Sequence, residues 1–143
     1  MTDLRHPGLH VQEVINALDL HPHPEGGYYR ELWRDVPHGG GRGTATSILF
    51  LLAAGQRSHW HRVDATEIWL WQAGSALSLS IEGRKRLRLG PDLAAGECLQ
   101  ATVPAHAWQA AEPCGAWSLV SCIVAPAFEF SGFELAPEGW TPG

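Results

Sequence analysis

The sequence predicts an all-β protein, a barrel or two-sheet sandwich, with one short helix near its amino-terminal end. Three observations carry that expectation. Roughly eight short apolar runs follow one another from Tyr28 onward, Gly or Pro punctuates the gaps between them, and helical periodicity occurs only once.

Taken in order, Val11, Val14, Ile15 and Leu18 recur at helical spacing and predict a helix over residues 10–18. His21-Pro22-His23-Pro24 ends it, because the residue before a proline avoids the helical region. Strands are expected over residues 28–33, 46–52, 67–73, 77–81, 86–89, 98–103, 116–124 and 129–135, a spacing that suits a sandwich or barrel. Pro37-His38-Gly39-Gly40-Gly41-Arg42-Gly43 reads as a flexible loop, and Glu82-Gly83-Arg84-Lys85-Arg86 as a solvated hairpin. No linker or repeat divides the chain, so one domain over residues 1–143 is expected.

Composition narrows the function. A chain of 143 residues with 45% hydrophobic and 17% charged residues can bury an ordinary globular core. Its net charge of −5 argues against a nucleic-acid polymer as partner. No apolar run reaches the length of a membrane span, and the first residues lack a secretory pattern, so a cytoplasmic protein is the expectation. Cys98, Cys114 and Cys122 are odd in number and unpaired in spacing, which suggests neither a disulfide framework nor a thiolate zinc site.

The chemistry concentrates between Gly55 and Gly74. On a strand His59 and His61 would share a face, and Glu67 on a paired strand could join them, as a metal shell or as an acid/base pair in a pocket. Glu67, Trp69 and Trp71 alternate on one face, giving an aromatic wall with one acid that suits sugar rings or planar heterocycles. Tyr28 and Arg30, after the glycine pair Gly26-Gly27, share another face and offer donors to hydroxyl or anionic groups.

Several motifs, in order, carry a resemblance. They are Leu20 to Glu31 (LHPHPEGGYYRE), Ser47 to Leu52, His61-Arg62-Val63 leading to Glu67-Ile68-Trp69, Val103 to Ala110, and Val124 to Phe130 followed by Gly132 to Leu135. Together they resemble the small cupin-superfamily branch known as domain of unknown function DUF985, over about residues 10–138. The resemblance implies a double-stranded β-helix, or jelly roll, commonly a homodimer, with a small-molecule pocket inside the barrel. Seven tryptophans, many for one small core, agree with a contact surface. In the wider cupin pattern Pro-x-Gly-x-x-His supplies a metal-ligating histidine. Here Gln109 falls at that position and His106 at the turn glycine. A divalent metal, if one is held, would fall to His59, His61, Glu67 and Gln109.

Three function classes follow. The first is a sugar or nucleotide-sugar epimerase or isomerase needing no cofactor, in which His61 abstracts a proton beside a carbonyl, Glu67 orients it and a Tyr or Arg donor stabilises the enolate. His59, Trp69, Trp71, Gln109, Tyr28 and Arg30 would then contact a small polar ligand. The second is a non-catalytic small-molecule binding module. The third is a metal-dependent oxygenase or isomerase.

Overall fold

The computed structural model of the protein describes residues 2–143. Helix α1 spans Val11–Leu18. The Glu13 carboxylate accepts from the His10 backbone N–H (2.9 Å), which ties down the first turn. Asp19 closes the helix in the left-handed region (φ 53°), and the Leu20 N–H donates back to the Ile15 carbonyl.

Eleven strands follow: β1 (His21–Pro22), β2 (Tyr28–Arg34), β3 (Thr46–Ala53), β4 (Ser58–Val63), β5 (Thr66–Gly74), β6 (Leu77–Ile81), β7 (Leu87–Leu89), β8 (Gln100–Val103), β9 (Gln109–Pro113), β10 (Trp117–Ala125) and β11 (Phe133–Leu135). They form two antiparallel sheets in the orders β1-β2-β3-β10-β5-β8 and β11-β4-β9-β6-β7. This is the jelly-roll arrangement, mostly β with one short helix. Alternation along β3 explains the layering: Phe50 and Leu52 point between the sheets, while Leu51 points out beneath α1. The inner core joins them to Trp69, Leu77, Leu79, Ile81, Leu89, Val103, Val120 and Cys122. Outside the larger sheet, Val14, Ile15 and Leu20 cover Leu51, Ala73, Trp117 and Leu119.

The strands absent from the expectation are β1, β4 and β9. Gln-Ala-Ala-Glu-Pro is poor strand material by itself, and β9 exists because it fills the slot between β4 and β6, where Gln109, Ala110 and Ala111 are buried. Residues 129–135 are only half strand. A 3-10 turn over Phe130–Gly132 precedes β11.

Three strands carry an extra residue. Leu32 is unpaired on β2, where Glu31 faces Ile48 and Trp33 already faces Ser47. On β4, Ser58 opposes Ala111 and His61 opposes Gln109, so three steps on one strand match two on the other. On β5, Gln72 is skipped against Leu119 and Val120 of β10. Each such bulge reverses the in/out alternation beyond it.

Candidate active site

At one end of the barrel a cavity of about 230 Å³ is lined by His23, Glu25, Tyr29, Glu31, Arg34, Thr46, Ile48, Glu67, Val124, Phe128 and Phe130. Two carboxyl groups define its floor. Glu67, near the start of β5, is buried and accepts a hydrogen bond from the Gln109 amide Nε2 (2.8 Å). The Gln109 carbonyl in turn accepts from the Trp69 indole N–H (2.7 Å). Burial pushes Glu67 up to about 7, and neighbouring Glu25 adds to the rise against the charge of His61 and the Gln109 hydrogen bond.

Glu25 arrives from the loop between β1 and β2. Gly26 (φ 109°) lies so close to the Arg57 carbonyl that a Cβ there would collide with it, and the His59 N–H donates to the Glu25 carbonyl (2.9 Å). The loop is thereby pressed onto β4, and the Glu25 side chain enters the barrel. There it accepts from the Ser58 hydroxyl. Its Oε1 lies 3.4 Å from His23 Nδ1 and its Oε2 3.5 Å from His61 Nε2. Burial pushes Glu25 up to about 8, against the stabilising hydroxyl.

The two histidines have defined tautomers. His23 Nδ1 accepts from the Glu25 backbone N–H (3.1 Å), and burial next to His61 lowers its pKa to about 4, so the ring is neutral at pH 7. His61 Nδ1 donates to the His59 carbonyl (2.8 Å), which turns Nε2 toward Glu25. Burial lowers the His61 pKa, partly offset by the Glu67 charge. Aromatic rings complete the wall: His23 sits edge-on to Tyr29 at 4.5 Å and Phe128 edge-on to Phe130 at 5.0 Å. The Phe128 N–H donates to Thr46 Oγ1. Arg42, from the glycine-rich loop, donates to the Ala127 carbonyl and to both oxygens of Asp64, anchoring the segment that carries Phe128 and Phe130.

Several expected placements need correction. His59 does not share a face with His61, because the β4 bulge intervenes; its Nε2 meets the Pro137 carbonyl (2.9 Å) on the outside. Tyr28 packs with the helix cluster outside the sheet, and Arg30 donates to the Leu18 carbonyl at the surface. Their neighbours Tyr29 and Glu31 line the cavity instead. Trp71 points inward but donates to the Ser75 carbonyl, away from this cavity. His61, Trp69 and Gln109 stand behind the wall rather than in it. His23, Glu25 and Ser58 were not singled out from the sequence. The signal available for Glu25 was the glycine pair after it, which marks close backbone approach.

The donor set named for a metal does not converge. His59 faces outward, both ends of the Gln109 amide are engaged by Trp69 and Glu67, and His106 holds an exposed turn with φ 71°. Among the described residues no group of three or more His, Cys, Asp or Glu is arranged to hold a metal ion. Nor is any helix of the described residues long and apolar enough to cross a membrane.

A two-sheet jelly roll with a cavity at one end is the architecture of a cupin. The chain matches the family described as "Cupin superfamily (DUF985)" over residues 12–136, and it belongs to that family. It is similar to a protein from Shewanella oneidensis at 38% identity, covering 90% of this chain and 85% of that one with a TM-score of 0.84. A hypothetical protein from Leishmania major is 32% identical, with 90% and 88% covered and a TM-score of 0.83. An oxalate decarboxylase from Bacillus subtilis shares the fold alone, at 16% identity, 82% and 30% coverage and a TM-score of 0.62. No curated protein matches the chain.

Proposed function

We propose that the protein is a proton-transfer enzyme, an isomerase or epimerase acting on a small polar carbonyl compound of sugar type. The observation that carries this reading is the pair Glu67 and Glu25, two buried carboxyl groups that line one cavity and differ in what they bond. Glu67 accepts an amide N–H, as a carboxylate does, while Glu25 Oε2 faces Nε2 of His61, left as an acceptor because Nδ1 of that ring donates to the His59 carbonyl, and so favours a proton between them. With Glu67 near 7 and Glu25 near 8, the pair holds one base and one acid around neutral pH. Glu67 would take the proton from the carbon beside the carbonyl, and Glu25 would give its proton to the carbonyl oxygen. Glu67 then gives its proton to the former carbonyl carbon while the hydroxyl on the first carbon gives its proton to Glu25, which completes an isomerisation and restores both groups. Protonation of the first carbon by solvent on its other face, with Glu67 releasing its proton to solvent and the enol hydroxyl returning its proton to Glu25, completes an epimerisation. His61 acts through Glu25 as a positioning residue, because it does not reach the cavity. No step passes through a metal.

Hydrogen exchange tests this. Sugars incubated in heavy water should gain deuterium beside the carbonyl in the presence of the protein and lose that gain in Glu67→Gln. Binding without exchange would instead indicate a binding module. Exchange that appears only after a divalent metal is added would indicate the metal-dependent class.

The same reading includes a homodimer formed at β2. Among the described residues that strand has no outer neighbour beyond Tyr29, and it exposes Leu32 and Trp33, each at 53%. An unpaired edge bearing apolar side chains is suited to a second copy of itself. A mass near 15.6 kDa by light scattering at micromolar concentration would rule this out.

A further inference from the structure

Resting on the reading of this cavity as the substrate site, we infer that Glu31, by occupying Arg34, sets the charge selectivity of the pocket, which admits uncharged or cationic ligands of monosaccharide size and turns away phosphorylated or carboxylated ones. Glu31 and Arg34 stand three residues apart, an odd interval that would place them on opposite faces of a regular strand. The unpaired Leu32 removes that parity, and both side chains line the cavity. There Arg34 donates twice to one carboxylate, Nε to Oε2 at 3.2 Å and Nη2 to Oε1 at 2.7 Å. Among the described residues that line the cavity, Arg34 is the only arginine or lysine, facing three carboxyl groups: Glu25, Glu31 and Glu67.

An anionic ligand would have to displace Glu31 from a bidentate pair at the partly exposed mouth of the cavity while approaching the carboxylate of Glu67. A cation meets the reverse situation, with the aromatic side chains of Tyr29, Phe128 and Phe130 beside the acids. Size adds a second limit. A cavity of about 230 Å³ equals about eight waters of liquid volume and lies below the roughly 300–1,000 Å³ of sites for drug-sized ligands. One sugar ring fits inside it. The nucleotide of a nucleotide-sugar would stay outside, its phosphates facing Glu31, which narrows the substrate class expected from the sequence.

Isosteric probes separate charge from shape. Benzamidinium and benzoate, titrated calorimetrically into the full chain and into Glu31→Gln, should bind the unmodified protein with a preference of roughly tenfold or more for the cation. Glu31→Gln should shift that ratio roughly tenfold toward benzoate, and glucose 6-phosphate should bind detectably only to the variant. Equal or tighter benzoate binding by the unmodified protein, an unchanged ratio in the variant, or no binding of either probe would overturn the inference. If the probes behave as stated but no sugar exchanges deuterium, the isomerase reading fails and the selectivity stands.

Discussion

β3 and β10 pair residue for residue over eight consecutive positions, whereas β2 and β4, which carry or support much of the cavity's chemistry, each contain one residue more than their partners. The regular ladder makes the core: Phe50, Leu52, Val120 and Cys122 interdigitate between the sheets. Each irregular strand brings two polar residues at an odd interval onto one face, Ser58 with His61 and Glu31 with Arg34. A barrel whose strands all alternated strictly could bury apolar side chains as well, but it could not put both members of those pairs on one face.

The largest expected effect falls on Glu67, whose stretch of β5 pairs regularly with β10. Glu67→Gln should lower exchange about 10³-fold while retaining the fold, since the amide keeps the shape and removes a costly buried charge. Near-wild-type exchange would remove Glu67 from the chemistry. Glu25, held in place by the bulged β4, should matter less in size but more in pH dependence. Activity in the unmodified protein should rise as Glu67 deprotonates near 7 and fall as Glu25 deprotonates near 8, a narrow bell. Glu25→Gln should cost about 10²-fold and abolish the alkaline fall. A profile that stays flat through pH 9 in the unmodified protein would refute the acid role.

Stability should follow the same two groups. Each carboxyl has a folded pKa above its unfolded value of 4.5, so its contribution is fully present below 4.5 and is lost as pH rises through 7 for Glu67 and 8 for Glu25. The lowered pKa values of His23 and His61 act in the opposite direction, mainly below about pH 7, because an unfolded histidine is half protonated at 6.5. From pH 6.5 to 8.5 the loss from the carboxyls outweighs the remaining histidine contribution, and the unfolding free energy should fall by about 2 kcal/mol. Urea titrations at the two pH values measure it, and a rise in stability would contradict the burial of these acids.

The smallest effect isolates a bulge. Deleting Leu32, half-exposed on an edge, should leave Glu31 and Arg34 two positions apart on a regular strand, still on one face, and should change benzamidinium affinity by less than about twofold with little change in melting temperature. A comparable deletion within β3 should unfold the protein. Equal tolerance of both deletions would erase the distinction between the two kinds of strand.

That distinction also marks how far the sequence could be read. Alternation correctly aligned Glu67, Trp69 and Trp71, because β5 runs without a break between them. It misplaced His59 relative to His61 and chose Tyr28 and Arg30 over Tyr29 and Glu31. The β4 bulge accounts for the first error, and no local pattern announces it. The second reflects orientation: two equivalent faces of β2 were available, and only the pairing of Tyr28 with Leu51 beneath α1 decides between them. Glu25 was hidden for another reason, since a loop has no periodicity from which to read direction. The fold was more legible than the site because apolar runs and turn residues repeat along the whole chain, while the site depends on single inserted residues.

The relay from Trp69 through Gln109 to Glu67 also has an optical consequence. An indole whose N–H is polarised by an amide bound to an ionising carboxyl should change its emission as that carboxyl gains or loses its proton. The difference spectrum between the unmodified protein and Trp69→Phe, followed through neutral pH, would therefore report the charge on Glu67 from inside the barrel. It needs no substrate, so the ionisation of a proposed base becomes measurable before its reaction is known.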